Sequence, residues 1–255
     1  MNYATNTTWN VAAGARVRLT GATTFENAAV LTKTGPGLVE VNTIQAGGLA
    51  VNGGTVRVLP NGGAANTSRV GSIAFGGGQL DLTNNAMVVS YTGTSPIASV
   101  RTALQSGFNG GAWNGNGLVT SQGNASQFAI GYAEASALAA IPPVFGTVTG
   151  DAVLIRFTRF GDANLDGTVN LQDFNRLAAN FGSTNGFWHQ GDFNYDGQVN
   201  LQDFNRLAAN FGQSAAGPTV TPDDWAALAA AVPEPSCALL ALAPLFVARR
   251  RRRTR

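Results

Sequence analysis

The stretch GDANLDGTVNLQDFNRLAANFG, residues 161–182, decides how this 255-residue chain is interpreted, because it occurs twice. The second copy, GDFNYDGQVNLQDFNRLAANFG, spans residues 191–212, and three of the 22 aligned positions differ. These positions are Ala163/Phe193, Leu165/Tyr195 and Thr168/Gln198. Such a close tandem repeat indicates a duplicated structural unit.

Each copy has the spacing of a calcium loop, in which oxygen ligands come from positions 1, 3, 5, 7, 9 and 12 and a glycine at position 6 allows a sharp turn. Gly167 and Gly197 occupy the turn position. Hard oxygen donors without thiol or imidazole disfavour zinc and copper. The sequence therefore predicts two Ca²⁺ ions, held by Asp162, Asn164, Asp166, Thr168, Asn170 and Asp173 and by Asp192, Asn194, Asp196, Gln198, Asn200 and Asp203.

An apolar pattern with helical spacing follows each loop, and a glycine ends it. No comparable helical pattern precedes either loop, and residues 153–160, VLIRFTRF, are typical of a strand. The segment is thus predicted to be a loop–helix unit, doubled. The apolar positions are Phe174, Leu177, Ala178 and Phe181, then Phe204, Leu207, Ala208 and Phe211, with Gly182 and Gly212 as the stops.

These residues resemble the dockerin type I module, in which two calcium loop–helix units pair in antiparallel fashion. The resemblance implies one calcium ion per loop and docking to a cohesin-like domain. Partner choice in that family is carried largely by loop positions 10 and 11, which are Leu171, Gln172, Leu201 and Gln202 in this chain. The alternative is that the loops bind calcium only to hold a small fold together. Dockerin modules are also often attached to polysaccharide-degrading enzymes, which gives a second functional alternative, a polysaccharide-associated protein.

Short β-type runs separated by glycine turns fill the N-terminal third of the chain. Residues 31–37, LTKTGPG, and residues 51–58, VNGGTVRV, resemble the autotransporter-associated β-strand repeat, a family that forms parallel β-helices. We predict a β-solenoid over residues 1–92, with a β-sandwich as the alternative. Residues 93–159 are predicted to be a mixed α/β cap, with a helix over 95–108, another over 131–141 and two strands over 145–160; a sugar-binding loop around Trp113 is the alternative.

The C-terminal tail has three parts: a Pro-Glu-Pro signature at Pro233, Glu234 and Pro235, an apolar run over 237–248, and six arginines among the last seven residues. It resembles the PEP-CTERM sorting signal, which implies recognition by an exosortase-type enzyme and transient membrane anchoring before processing. The apolar run is shorter than the roughly 20 residues that span a bilayer. Residues 213–231 are predicted to be a linker and short helix.

The basic balance of the chain comes from this tail. Of 16 Lys and Arg residues, six lie in the tail, which leaves 16 − 6 = 10 basic residues against 14 acidic ones. A nucleic-acid partner is therefore not predicted. The N-terminal residues show no signal peptide, and we expect the true start to lie upstream.

Catalytic machinery is not predicted, because the carboxylates outside the loops follow no motif and the single His189 lies in the connector between the copies. The prediction is thus a non-catalytic, calcium-binding, exported surface protein. Its predicted fold class is a mainly β N-terminal domain (a β-solenoid or parallel β-helix with a mixed α/β cap), a small α calcium-binding dockerin-like domain over 160–212, and a C-terminal hydrophobic helix within 232–255.

Overall fold

The computed structural model describes residues 2–3, 5–21, 23–25, 29–214 and 217–218. Three α-helices lie in these ranges: α1 (Ile97–Phe108), α2 (Leu171–Asn180) and α3 (Leu201–Asn210). The strands are β1 (Asn2–Tyr3), β2 (Thr7–Asn10), β3 (Arg16–Leu19), β4 (Thr23–Phe25), β5 (Val30–Thr34), β6 (Leu38–Val41), β7 (Ile44–Ala46), β8 (Gly48–Val51), β9 (Thr55–Val58), β10 (Ser68–Val70), β11 (Ile73–Phe75), β12 (Gln79–Asp81), β13 (Ala86–Ser90), β14 (Gly117–Val119), β15 (Phe128–Glu134), β16 (Ala152–Arg159), β17 (Gln213–Ser214) and β18 (Gly217–Pro218).

The first thirteen strands enter three parallel sheets in rotation. The first sheet contains β1, β4, β7, β10 and β13, and it continues with β16 and β15 as antiparallel strands. The second sheet contains β2, β5, β8 and β11. The third contains β3, β6, β9 and β12, and β14 pairs with β12 as its fifth strand.

Parallel register stacks apolar side chains into columns between the sheets. In the third sheet, Val39 pairs with Val56, Val56 with Leu80, and Leu80 with Leu118. All four side chains are fully buried. Each strand thus adds its inward apolar residues to a core that neighbouring strands cover, and this burial is the main favourable term for the fold.

Tight turns between the strands depend on glycine where backbones meet. Gly54 has φ +62°, and a Cβ atom there would lie 2.4 Å from the carbonyl oxygen of Gly37. Any other residue at position 54 would strain the backbone and clash with the neighbouring turn that contains Gly37.

A fully buried lysine crosses one of these turns. Lys33 Nζ donates hydrogen bonds to the carbonyl oxygens of Thr34 (2.8 Å), Gly35 (2.8 Å) and Gly53 (3.1 Å). Its three donors are therefore satisfied by main-chain acceptors, and burial lowers the pKa of Lys33.

The fold-class prediction is wrong. In place of a β-solenoid or parallel β-helix, a separate small α calcium-binding domain and a hydrophobic C-terminal helix, the structure has three parallel or mixed sheets and three α-helices in an α/β arrangement. Alternating patterns and glycine turns predict strands but not the sheet that each strand joins, and β15 and β16 make the first sheet mixed. The predicted C-terminal helix falls on residues 232–255, which lie outside the described residues. None of the helices within the described ranges is long and apolar enough to cross a membrane.

Of the elements predicted between the N-terminal strands and the duplicated loops, one helix is confirmed and the others differ from the structure. The helix predicted over 95–108 is confirmed as α1, which buries Ile97, Val100, Leu104 and Phe108. The helix predicted over 131–141 is wrong, since its first residues belong to β15. The two strands predicted over 145–160 are a single strand, β16.

Candidate functional site in the duplicated loops

The loop–helix prediction for each copy is confirmed, and its N-terminal caps explain why the helices begin where they do. Asn170 caps α2, with its side-chain oxygen accepting from the Gln172 N–H at 2.7 Å. Asp173 completes a capping box by accepting from the Asn170 N–H at 2.9 Å. Asn200 and Asp203 make the same pair of bonds at α3.

The position-12 aspartates also close their loops. Besides the cap, Asp173 accepts from the N–H groups of Ala163 (2.9 Å) and Asn164 (3.1 Å) at the start of the loop. In the second copy, the Phe193 N–H donates to Asp203 at 2.8 Å. Both aspartates are fully buried, so each carboxylate ties the first residues of a loop to the helix that follows it.

The position-1 aspartates lie at the bottom of the loops. Asp162 accepts from the Gly167 N–H at 2.9 Å and from the Thr158 hydroxyl, and Asp192 accepts from the Gly197 N–H at 3.0 Å. The second carboxylate oxygen of both Asp162 and Asp192 is buried without a hydrogen-bond partner.

The remaining predicted ligands are arranged at the rims of the loops. Asn164 and Asn194 accept from the N–H groups of Asp166 and Asp196, whose own carboxylates accept from the N–H groups of Thr168 and Gln198. Asp166, Asp196 and Gln198 are exposed, and Thr168 forms a bridge to Ser214. Asn170 and Asn200 act as helix caps. The structure therefore brings all twelve residues into two matching loops, held by internal hydrogen bonds.

Burial dominates the electrostatics of these loops. It raises the pKa of Asp162 to about 6, against the opposing effect of the Arg156 guanidinium, and it raises the pKa of Asp203 to about 6. Burial and then the nearby Asp203 carboxylate raise the pKa of Asp192 to about 7. The pKa of Asp173 is also raised, first by burial and then by the Asp162 carboxylate.

The prediction of two bound Ca²⁺ ions is wrong, because the geometry of these side chains contradicts it. Among the residues that the structure describes, no group of three or more His, Cys, Asp or Glu side chains is placed to hold a metal ion. The physical reason lies in the hydrogen bonds above, since Asp173 and Asp203 direct their oxygens to main-chain N–H groups of the loop and of the helix cap.

Two arginines from outside the duplicated segment reach the loops. Arg156 of β16 donates to the Leu165 carbonyl oxygen at 2.6 Å, and Arg101 of α1 donates to the Gly186 carbonyl oxygen at 2.9 Å. Their guanidinium groups also lie 3.2–3.3 Å from where a Cβ would stand on Gly167 and Gly197. Each acidic loop thus has one arginine from the sheet-bearing part of the chain beside its turn.

An aromatic cluster joins the duplicated segment to the sheets. Trp188 and Tyr195 stack with ring centroids 5.5 Å apart, and the Tyr195 hydroxyl donates to the Ile130 carbonyl oxygen at 2.9 Å. Phe108 and Trp113 meet Tyr195 edge-to-face, at 5.2 and 6.1 Å. Residues 161–212 therefore belong to the same compact unit as the sheets, which spans Met1–Thr219.

Sequence reasoning missed this interface, although the repeat carried a signal for it. At two of the three positions where the copies differ, both copies are buried: Ala163 and Phe193, and Leu165 and Tyr195. Divergence at buried positions of an otherwise identical repeat indicates two different packing surroundings.

The predicted partner-binding residues differ in exposure between the copies. Gln172 and Gln202 are both exposed. Leu201 is 61% exposed, whereas its equivalent Leu171 is half-buried. The sorting-signal residues Pro233, Glu234 and Pro235 lie outside the described residues.

Other candidate groups are engaged elsewhere. Trp113, the centre of the alternative sugar-binding loop, is buried and packs against Phe108, so its ring offers no open face to a sugar. The buried Glu40 and Asp81 are ion-paired through Arg57, at 3.7 and 2.8 Å.

Comparisons with known proteins returned no match: no family model, no curated protein and no solved structure is similar to this chain at a significant level.

Proposed function

We propose that this chain is a non-catalytic protein exported to the cell surface, and that its duplicated segment is a docking module with a single working face, centred on Leu201. The observation that carries the proposal is the unequal exposure of equivalent apolar residues. Leu201 and Phe181 are 61% and 56% exposed, while the equivalent Leu171 is half-buried and Phe211 is 2% exposed.

The two pairs are equivalent because the copies meet symmetrically. The Gly182 N–H donates to the Val199 carbonyl oxygen at 2.8 Å, which brings the end of α2 beside the start of α3. The Gly212 N–H makes the same 2.8 Å bond to Val169, so the end of α3 lies beside the start of α2. One apolar pair is thus covered by the chain itself, and the other faces solvent.

Exposed large apolar side chains that cluster on a small module are typical of interaction sites. In the described part of the chain, the exposed large hydrophobic residues are Val17, Phe181 and Leu201, and two of these three belong to this face. The resemblance to dockerins implies a cohesin-like domain, and we propose this class of partner. Gln202 lies next to Leu201 and accepts from the Asn194 amide at 3.3 Å, which orients its side chain.

Binding of the full chain to a panel of immobilised cohesin-type domains tests the proposal. Leu201→Asp is expected to weaken binding by about tenfold or more, the loss typical of a hot-spot residue. Gln202→Ala and Gln172→Ala form a matched pair, because both residues are exposed at the same position of their copies. Only Gln202→Ala is expected to weaken binding, and equal effects of the pair would contradict the single face. If no domain of the panel binds, the docking role fails and the duplicated segment is left with a structural role.

Export rests on the sequence of the tail, whose Pro-Glu-Pro signature is proposed to be the recognition site of an exosortase-type enzyme. Intact mass measurement of the protein from its native cells tests this. The mature protein is expected to lack the residues beyond the signature, and replacement of Pro233, Glu234 and Pro235 by alanine is expected to leave the full-length mass. A full-length mass for the unchanged protein would contradict the proposal.

A further inference from the structure

The second sheet ends one strand earlier than the other two. Strand β11 pairs with β8 on one side, and within the described part of the chain no strand pairs with its other side. The third sheet continues with β14 and the first with β16. If the strands continued to alternate among the three sheets, the strand after β13 would be the fifth strand of the second sheet. The chain forms helix α1 at that place instead.

Hydrogen bonds to β8 show which backbone groups of β11 remain open. The Leu49 N–H donates to the Ser72 carbonyl oxygen at 2.9 Å, and the Gly76 N–H donates to the Val51 carbonyl oxygen at 3.0 Å. Peptide groups alternate between the two edges of a parallel strand. The N–H and C=O groups of Ile73 and Phe75 therefore point away from β8, to the open edge.

A groove lies along this edge. It has a volume of about 520 Å³ and is bounded by β11 and its following turn, by one face of α1, and by the start of β14. Its lining on α1 has the three- and four-residue spacing of one helix face and consists of Ser99, Thr102, Ala103 and Ser106. These side chains are short and leave room for a backbone, and all ten lining residues are uncharged.

The apolar side chains of β11 are incompletely covered. Ile73 and Phe75 are half-buried, whereas the residues they pair with on β8, Leu49 and Val51, are 1% and 0% exposed. Each earlier strand of the second sheet is covered by the strand that follows it. Ile73 and Phe75 lack that cover.

We propose that this groove binds an extended, uncharged polypeptide segment of a partner protein, which adds to the second sheet as a fifth parallel strand. The open peptide groups of Ile73 and Phe75 require a partner that presents N–H and C=O groups at the spacing of an extended chain, as in other cases of strand addition. Apolar residues at alternate positions of the segment would cover Ile73 and Phe75. The absence of charge among the lining residues excludes a charged segment in this register, since a buried unpaired charge is costly. This site is independent of the docking face at Leu201.

A labelled peptide with the sequence of residues 47–53, GGLAVNG, is the probe, because it contains the strand that β11 already accepts on its other edge. Fluorescence anisotropy with the full chain measures its binding. In the parallel register, the alanine N–H of the peptide donates to Ile73, and the leucine N–H points away. N-methylation of the alanine nitrogen is expected to weaken binding about fivefold, which corresponds to the loss of one hydrogen bond, whereas N-methylation of the leucine nitrogen leaves it unchanged.

Two variants of the protein complete the test. Ser106→Trp fills the groove and is expected to abolish binding, while Gln105→Trp, one residue earlier on an exposed position outside the groove, is the matched control and is expected to bind as the unchanged protein does. The proposal is overturned if the peptide does not bind, if both N-methylated peptides bind equally, or if Ser106→Trp binds normally while its circular dichroism matches the control. It is also overturned if sedimentation shows that Ser106→Trp converts a self-associated chain to a monomer, because the groove would then hold a second copy.

Discussion

Replacement of Tyr195 tests whether the aromatic cluster makes the duplicated segment and the sheets one cooperative unit. Tyr195 is 1% exposed, donates to the Ile130 carbonyl oxygen at 2.9 Å and accepts from the Ile130 N–H at 3.3 Å. Tyr195→Phe removes only the hydroxyl and leaves buried polar groups without their partner. We expect it to lower the free energy of unfolding by about 1–3 kcal/mol.

Tyr195→Leu, which installs the residue of the first copy, also removes the ring that stacks on Trp188 and meets Phe108. The lost ring contacts and the partly filled cavity add about 2 kcal/mol, so the total loss is expected to be roughly 3–5 kcal/mol. Phe181→Leu is the control, since Phe181 is 56% exposed, and its effect is expected to stay within about 0.5 kcal/mol.

Chemical denaturation followed by both tryptophan fluorescence and circular dichroism is the assay. Trp188 and Trp113 lie in the cluster, so with Trp9 and Trp225 replaced by phenylalanine the fluorescence reports on the interface, while circular dichroism reports on all strands and helices. Coincident transitions are expected for every variant, because one unit unfolds at once. Separate transitions for the two signals, or a Tyr195→Leu variant as stable as the unchanged protein, would refute the reasoning.

Three further predictions concern single sites. Because the folded-state pKa values of Asp162 and Asp192 are raised from 3.8 to about 6 and about 7, their contribution to stability is fully present below pH about 4 and is lost as pH rises through 6 and 7. At about 1.4 kcal/mol for each pH unit between a group's unfolded and folded pKa values, denaturation in chelator-containing buffers should show a total loss of roughly 7 kcal/mol over that window, and a double Asp→Asn variant with the same slope would contradict this. Lys33→Met is expected to lower the free energy of unfolding by roughly 2–3 kcal/mol, since it removes the ammonium that donates to three main-chain carbonyl oxygens and leaves those of Gly35 and Gly53 without this donor, whereas Thr34 keeps its bond from the Val11 N–H; an unchanged unfolding midpoint would contradict this. Gly54→Ala is expected to lower the free energy of unfolding by more than about 2 kcal/mol, because of the positive φ and the clash with a carbonyl oxygen. Gly93→Ala, at φ +83° with open space around it, is expected to lower it by about 1 kcal/mol. Equal melting temperatures for the two variants would contradict the clash.

Secondary structure could be predicted where the spacing of neighbouring residues determines it. The helices after the loops follow from the spacing of Phe174 and Leu177 and their equivalents, and α1 follows from Ile97, Val100 and Leu104. Long-range pairing could not be predicted in the same way. The pattern around residues 131–141 is rich in alanine and favours a helix, but pairing with β16 makes its first part a strand, so tertiary context overrode propensity.

Prediction of the candidate site divided in the same way. The sequence showed which polar residues share a loop, and the structure does gather them there. It did not show the hydrogen-bond partners, because a loop aspartate such as Asp173 can serve either an ion or main-chain N–H groups, and the capping box with Asn170 uses the second option. The unequal exposure of Leu171 and Leu201 depends on what the rest of the chain covers, and identical sequences carry no information on that.

The near-identity of the two copies raises the question of which copy packs against which part of the rest of the chain. Arg176 of α2 donates to the Ala137 carbonyl oxygen at 3.2 Å, and its equivalent Arg206 of α3 donates to Ala125 at 3.1 Å, so the segments on either side of β15 offer similar acceptors to the two helices. A half-turn of the duplicated segment would exchange the copies and keep such contacts available. That alternative would place Tyr195 where Leu165 now lies, against Gly131, where even an added Cβ would come 2.6 Å from Leu165 Cδ2. The diverged side chains Leu165 and Tyr195 therefore fit the arrangement that the structure shows and disfavour an exchange of the two copies.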